Sequence, residues 1–332
     1  MTPTRGTYVL GVLLLLTLTW LFAVSLIAQA SRMLAAAGLS AGLAVILAGG
    51  VMTLRTSGPM PRVRVVDVVM STIAAAATLY LCRVLELPPL VASALVITVI
   101  GVALLSGGPL DVRSGMAGYT GGFIGLITPN ITLSWYWVML AGPVAGVLWS
   151  LIAPSAFVGV GGRMGATAFM ASVGVYQVAD LLGDRDIPSL LPPPGGLAHW
   201  AVVPIGATSA LVVWLLMNRL GWSLPMASGL SSLLVCGGLA LWGPPSVAVP
   251  FATVWFGGNA VGAVAAWRLP NAGWVAVAGL LYGVMILRFQ GPLEGHVGAI
   301  GSFALMSEFG TIAVRRGLQA LAPRLPGQPR VA

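Results

Sequence analysis

The sequence predicts an all-α polytopic membrane protein of about twelve transmembrane helices: two N-terminal helices and an inverted repeat of two five-helix halves. Of its 332 residues, 58% are hydrophobic and 7% are charged, which is too few charges to solvate the surface of a water-soluble domain. Its apolar residues are grouped in runs near the length of about 20 residues that a bilayer requires. Several short patterns also recur in the same order in both halves of the chain, as in a duplicated fold.

The first two apolar runs, at 8–28 and 34–54, form an N-terminal two-helix extension assigned to residues 1–60. The first run follows Arg5 and resembles a signal peptide, but it is longer than the apolar core of about 7–15 residues that such peptides use. We therefore interpret it as a retained span. Ten further runs lie near 66–84, 88–106, 114–128, 132–153, 156–180, 199–219, 225–243, 248–267, 272–289 and 295–314.

A polar, proline-rich connection at residues 181–198 separates the two halves. We assign residues 61–180 to the first half and residues 199–316 to the second, with the connection outside the cytoplasm. Residues 317–332 contain arginine and proline, and we expect them to form a disordered cytoplasmic tail.

The clearest repeat pairs residues 137–147 with residues 274–284. The tryptophan, both valines, the alanine and both glycines coincide without a gap. Each half holds five runs, an odd number, so the halves enter the membrane from opposite sides. Such an inverted repeat builds a site near the bilayer centre, between the halves. A duplicated fold can also be a scaffold, because fold does not dictate function.

The net charge of +8 comes from arginine alone, since the sequence contains no lysine. We place the N-terminus in the cytoplasm and let the runs cross the membrane alternately. Of the arginines in loops and tails, all then lie on the cytoplasmic side except Arg32, Arg83, Arg185 and Arg288. The positive-inside rule therefore predicts a protein of the cell membrane with both termini in the cytoplasm. The excess charge indicates orientation and not nucleic-acid binding.

The run at 114–128 is short and rich in glycine, and a weaker echo of it lies at 254–258. In each, an aromatic residue stands two positions before a Gly-Gly pair. Short, glycine-interrupted segments at matching places indicate a transporter's central site; close helix packing through small residues is the alternative. The predicted solute path contains Gly118, Tyr119, Thr120, Gly121, Gly122, Trp255, Gly257, Gly258, Asn259, Arg163 and Glu308.

We expect the two glycine segments to face each other across the axis that relates the halves. Tyr119 and Trp255 would then form aromatic walls of the path, or both rings would face lipid at the interface. Arg163 and Glu308 lie in the last run of each half, at the same expected depth. Because an unpaired charge there is costly, we expect an ion pair or a shared polar vestibule on the cytoplasmic side, with a structural bridge as the alternative.

The motif Ser114-Gly-Met-Ala-Gly-Tyr-Thr-Gly-Gly-Phe-Ile-Gly-Leu126, with the five-plus-five organisation, resembles the urea transporter family. That family carries a similar Ser-Gly-Leu-x-Gly-Tyr-Asn-Gly-x-Leu-x-Gly-Leu pattern in its first half. Its Leu-Pro-Phe-Asn/Thr pore signature has a partial counterpart in Val249-Pro250-Phe251-Ala252. What the resemblance implies is a channel-like path for a small polar solute along the axis that relates the halves.

The sequence contains no metalloprotease, nucleophile-elbow or phosphate-loop pattern, so we predict neither an enzymatic activity nor a cofactor. The predicted partners are the lipid bilayer and a small polar solute, and a homo-oligomer stays open.

Two Gly-Ala-Thr triplets, at 165–167 and 206–208, match the centre of a flavin-attachment motif. The motif occurs in membrane subunits of sodium-pumping oxidoreductases, but both triplets lack the acidic residue that normally precedes it. We therefore interpret the triplets as helix-packing residues and keep flavin attachment as the alternative. A membrane subunit or scaffold of a larger complex, including a redox-linked one, is therefore the alternative function.

Overall fold

The computed structural model describes residues 50–51, 62–107, 110–127, 135–154, 156–181, 198–289 and 299–321. Within these ranges the chain is helical and contains no strand, so the all-α prediction is confirmed. The ten helices are α1 Val65–Arg83, α2 Pro89–Leu105, α3 Val112–Ile124, α4 Trp135–Ile152, α5 Arg163–Leu181, α6 Ala198–Leu220, α7 Leu224–Trp242, α8 Pro245–Gly262, α9 Ala272–Phe289 and α10 Ala299–Leu321.

Four of these helices, α1, α4, α6 and α7, are both long enough and apolar enough to cross a membrane, and α2 and α9 are shorter apolar helices. This result supports a membrane protein. The predicted N-terminal pair lies outside the described residues except for 50–51. Most of the linker at 181–198 and the end of the tail also lie outside them.

Helices begin where the sequence supplies a suitable first turn. The carboxylate of Asp111 precedes α3 and accepts the Ser114 backbone N–H at 2.7 Å, which satisfies one of the N–H groups that a helix start leaves free. Ser223 caps α7 in the same manner. Helices α2, α7 and α8 also carry proline in the first turn, where its missing N–H has no consequence.

Three predicted boundaries are wrong. The run at 156–180 becomes helical only at Arg163, because Gly159 and Gly162 turn the chain with φ of 78° and 71°. The run at 248–267 ends its helix at Gly262. Helix α10 continues to Leu321, into the segment expected to be a disordered tail.

The five helices of each half make the same set of contacts. In each half the first helix packs against the third and the fourth, and the fifth packs against the same two. A Cβ atom on Gly146 would lie 2.5 Å from a Cα atom of α1, and on Gly279 or Gly283 it would lie 2.6 Å from a Cα atom of α6. These glycines belong to the pattern that repeats in the sequence, so the repeated residues make repeated helix contacts.

The halves meet mainly through two helix pairs, in addition to smaller contacts of α3 with α7 and of α2 with α8, and the first main pair is α2 with α7. Gly101 lies against Met226, and Gly229 lies against Thr98. Residue numbers therefore fall along α7 as they rise along α2, so these two helices run antiparallel.

The second pair is α5 with α10. Gly165 lies against Gly301, and Gly162 lies against Leu305, so this pair is antiparallel as well. In both pairs the partners hold the same place in their halves, second with second and fifth with fifth.

Candidate functional site

The glycines at the centre of the two predicted segments are helix-packing positions. Gly121 of α3 packs on the backbone carbonyl of Ser71 in α1, and Gly258 of α8 packs on Ser209 and Gly206 in α6. The two glycines therefore do not face each other, although the segments that contain them meet through the rings of Phe123 and Phe256. Each glycine instead contacts the first helix of its own half, because only a glycine lets the two backbones approach this closely.

The two segments also match in a different register from the one expected. Gly121 and Gly258 hold equivalent positions, since each packs on the first helix of its half. The residues two positions before these glycines are Tyr119 and Phe256, so Phe256 is the counterpart of Tyr119. Trp255 is therefore not equivalent to Tyr119. The sequence match of two Gly-Gly pairs was therefore displaced by one residue.

The halves share a set of hydrogen-bonded side chains that we call the central polar cluster: Tyr119, Ser228, Ser231, Ser232, Trp255 and Asn259. Tyr119 belongs to α3 in the first half, and the other five belong to α7 and α8 in the second. All are buried except Trp255, which is half-buried. The cluster adjoins Gly229, where α7 touches α2.

Asn259 is the centre of this cluster. Its amide nitrogen donates to Ser232 Oγ at 2.7 Å and to the Ser228 carbonyl at 3.3 Å. Its amide oxygen accepts from Ser231 Oγ at 3.3 Å. Both ends of the buried amide are thus satisfied, as burial of a polar group requires.

Tyr119 and Trp255 attach to the cluster from opposite halves. The Tyr119 hydroxyl shares a hydrogen bond of 2.8 Å with Ser228 Oγ, and Trp255 Nε1 donates to Ser231 Oγ at 3.2 Å. Tyr119 is fully buried, so the alternative in which both rings face lipid is wrong.

Aromatic rings continue from the cluster across the contact between the halves. The rings of Tyr119 and Phe123 have centroids 5.2 Å apart. The Phe123 ring meets the Phe256 ring of α8 edge-to-face, also at 5.2 Å. Such tilted and edge-on contacts are the favoured geometries of aromatic pairs, and they join α3 to α8.

The other small residues of the predicted path contact neighbouring helices. Gly118 and Gly122 face α2, and the Gly122 carbonyl accepts from Ser93 Oγ at 2.9 Å. The Thr120 hydroxyl donates to a carbonyl of its own helix at 3.0 Å. Gly257 lies against a tyrosine hydroxyl of α9.

Arg163 and Glu308 are close but do not form the expected ion pair in the described structure. Arg163 Nη1 donates to the carbonyls of Ala153 and Ala156 at 3.1 and 3.0 Å. One carboxylate oxygen of Glu308 accepts the Gly161 N–H at 2.8 Å. The prediction of a mutual ion pair is therefore wrong, because the guanidinium satisfies carbonyl groups at the end of α4 instead.

Two loops close one end of the bundle near these charges. The α4–α5 loop comprises residues 153–162, of which 155 is not described, and the α8–α9 loop comprises residues 263–271. Both loops lie at the same end of the bundle, since a backbone hydrogen bond joins them directly.

Backbone hydrogen bonds join the α4–α5 loop to its neighbours. Gly162 N–H donates to the Ala260 carbonyl at the end of α8 at 3.0 Å, and Ala265 N–H donates to the Gly159 carbonyl at 2.9 Å. Arg268, which is almost fully buried, donates to a further carbonyl of the α4–α5 loop at 2.9 and 3.1 Å. The loop is therefore held from α8, from the α8–α9 loop and from α10.

Sequence reasoning missed a second buried acid, Asp67. It is fully buried at the start of α1 and accepts from Ser114 Oγ at 2.9 Å and from Ser150 Oγ at 3.0 Å. Arg113 Nε lies 3.0 Å from the same carboxylate. An aspartate between valines in an apolar run was the available signal. Asp67 joins α1, α3 and α4.

A second, more exposed ion pair lies near the one that Asp67 forms with Arg113, and its two residues directly precede α1 and α3. Arg64 forms a hydrogen-bonded ion pair with Asp111. The Arg64 guanidinium lowers the pKa of the Asp111 carboxyl from 3.8 to about 2, because it stabilises the ionised form. The start of α3 is thus fixed from both the interior and the surface.

Both Gly-Ala-Thr triplets are helix-packing sites. Gly165 lies against Gly301 of α10, and Gly206 lies against Gly279 of α9. The threonine of each triplet donates its hydroxyl to a carbonyl one turn earlier in its own helix at 2.8 Å. These contacts favour the packing interpretation of the two triplets.

No protein-family model matches this chain, and no curated protein or solved structure matches it either. Its function is therefore inferred from the geometry of the site.

Proposed function

We propose that this protein is a membrane channel or transporter for a small, neutral, polar solute that passes between its two halves. The observation that carries the proposal is the central polar cluster, in which Tyr119 of one half shares a buried hydrogen-bond network with Asn259 of the other. Polar side chains within membrane helices are costly, and they commonly mark a solute pathway. Six hydrogen-bonding side chains lie together where α3 of one half meets α7 and α8 of the other.

The topology we propose is an inverted repeat with about twelve crossings, counting the two N-terminal runs. Its support is the equal set of contacts in each half and the antiparallel packing of α2 with α7 and of α5 with α10. The arginine distribution favours cytoplasmic termini. In this topology the α4–α5 and α8–α9 loops lie on the cytoplasmic side, and the halves could open alternately about the central polar cluster.

The composition of the central polar cluster favours a neutral solute. Its side chains offer hydroxyl, amide and indole groups, which donate and accept hydrogen bonds, and none of them is charged. An ion there would lack a counter-charge to replace its hydration. A small amide such as urea could exchange hydrogen bonds with Asn259 and its serine partners, which agrees with the family resemblance of the α3 motif.

Solute flux into liposomes that contain this protein alone tests the proposal. Light scattering after mixing with urea, acetamide or glycerol reports the rate of solute passage. Asn259→Leu should lower the rate of the transported solute at least about tenfold, equivalent to about 1.4 kcal/mol in the barrier, because it removes both a donor and an acceptor. Tyr119→Phe should cause a smaller loss, since it removes one hydroxyl.

Thr208→Val is the matched control. Its hydroxyl is exposed and bonds only within its own helix, so the flux should not change. Folded, inserted protein that passes none of the solutes faster than protein-free liposomes would contradict the proposal. Flavin fluorescence or stable co-purifying subunits in the same preparation would favour the alternative, a membrane subunit of a larger complex.

A further inference from the structure

Glu308 is a fully buried acid that lies outside the central polar cluster. It lies in the tenth position of α10, roughly 10 Å before the arginines at 315 and 316 at a rise of about 1.5 Å per residue. One carboxylate oxygen accepts from Gly161 of the α4–α5 loop. The other has no hydrogen-bond partner in the described structure.

The neighbouring cations interact with Glu308 only through longer-range attraction. Arg163 of α5 and Arg268 of the α8–α9 loop direct their hydrogen bonds to carbonyls of the α4–α5 loop. Arg315, on the same helix as Glu308, donates to the Arg268 carbonyl at 2.7 Å, and Arg316 follows it. The cations thus bind the backbone around the acid and leave its second oxygen unmatched.

The remaining elements packed against this part of α10 contribute no further acid. Helix α8 contains no charged residue. The titratable residues of α9 are Tyr282 and, in its last turn, Arg288. An ionised carboxylate with a single hydrogen bond in such surroundings is costly. Binding a proton removes the charge and therefore the cost.

The second carboxylate oxygen of Glu308 lies against the α4–α5 loop at Gly161. The unmatched oxygen and the Ala260 carbonyl oxygen at the end of α8 both crowd the same side of Gly161, so close that a Cβ atom there would collide with each. Gly161 is thus the position where the α4–α5 loop, α8 and α10 meet. A side chain at residue 161 would push the loop away from the acid.

We propose that Glu308 is a proton-binding site covered by residues 156–162 of the α4–α5 loop, and that these residues must move away for the proton to be exchanged with water. Protonation forms one O–H bond on the carboxylate with a proton taken from solvent, and nothing is oxidised or reduced. The closed arrangement binds the proton more tightly than the open one. Falling pH therefore favours closure, and rising pH favours opening. The proposal does not depend on solute passage.

Accessibility of the loop measures this equilibrium directly. In detergent-solubilised protein with Cys82 and Cys236 replaced by alanine, Ala156→Cys places a thiol at a fully buried position of the loop. Ser106→Cys, at an exposed position after α2, corrects for the intrinsic pH dependence of thiol labelling. The ratio of the two labelling rates reports how often the loop is open.

We expect this ratio to rise at least about tenfold between about pH 5 and about pH 9, because each pH unit changes the ratio of ionised to protonated acid tenfold. In Glu308→Gln, which keeps an acceptor for Gly161 but cannot ionise, the ratio should stay low at every pH. A flat ratio in the protein with Glu308, or the same rise in Glu308→Gln, would overturn the proposal.

Infrared difference spectroscopy supplies a second readout that needs no cysteine. Protein with native Glu308 should show the carbonyl stretch of a protonated carboxylic acid at neutral pH, and Glu308→Gln should lose it. Absence of that band from folded native protein would also overturn the proposal. Solute flux tests the transport proposal, whereas the labelling ratio and the infrared band test proton binding at Glu308. A negative result in one set of measurements therefore leaves the other proposal unaffected.

Discussion

Two buried acids in this protein have opposite surroundings. Asp67 accepts two serine hydroxyls and pairs with Arg113, whereas Glu308 accepts one backbone N–H. A buried carboxylate with a full set of partners joins the elements that supply them, whereas a carboxylate oxygen without a partner leaves a site where a proton can bind. We therefore assign Asp67 to structure and Glu308 to proton exchange.

Asp67→Ala should lower the free energy of unfolding by about 1–3 kcal/mol, since it leaves the buried hydroxyls of Ser114 and Ser150 without their acceptor. Thermal unfolding in detergent measures the loss. The matched control is Asp111→Asn, which keeps a cap for α3 and removes a partly exposed ion pair with Arg64, for a loss of about 0–1 kcal/mol. Equal losses in the two variants would show that Asp67 is not the structural centre of this end of the first half.

At the scale of elements, the helix pairs depend on glycine where backbones touch. Gly165 of α5 and Gly301 of α10 approach so closely that neither can accept a Cβ atom without movement of the helices. Around Gly174, further along α5, no atom of the described residues in a neighbouring element lies within 4 Å of a Cβ position. The same helix therefore contains one glycine that packing requires and one that it does not.

Gly165→Ala should destabilise the protein by about 1–3 kcal/mol, the usual effect of overpacking. Gly174→Ala should be neutral or stabilise by up to about 1 kcal/mol, because alanine is the better helix former. The midpoint of thermal unfolding compares the two variants. If both variants shift the midpoint in the same direction by the same amount, the close contact of α5 with α10 does not contribute to stability as the structure indicates.

For the whole molecule, orientation in the membrane follows from the arginines and can be measured. In the background without native cysteines, Leu85→Cys lies in the exposed connection between α1 and α2, and Ser106→Cys lies after α2. Positive-inside topology puts the first outside the cell and the second inside. A membrane-impermeant maleimide should label residue 85 in intact cells and residue 106 only after permeabilisation. The reverse pattern would invert the proposed topology.

Much of the architecture follows from the sequence alone. The run at 272–289 became helix α9 with the same bounds, and the repeat of residues 137–147 at 274–284 predicted equivalent contacts for α4 and α9. Both results have the same cause. Apolar segments that leave water must satisfy their backbone groups within a helix, and repeated small residues must pack against equivalent surfaces.

The candidate site depended on tertiary structure. The sequence placed Arg163 and Glu308 at one depth but could not show that Arg163 bonds to backbone carbonyls and Glu308 to Gly161. It also could not show that the Asn259 amide hydrogen-bonds to three serine residues or that Asp67 is buried. Depth along a helix is a property of position in the chain. The partner of a buried polar group is decided by which helix faces turn toward each other and by which carbonyl groups the loops leave without a partner.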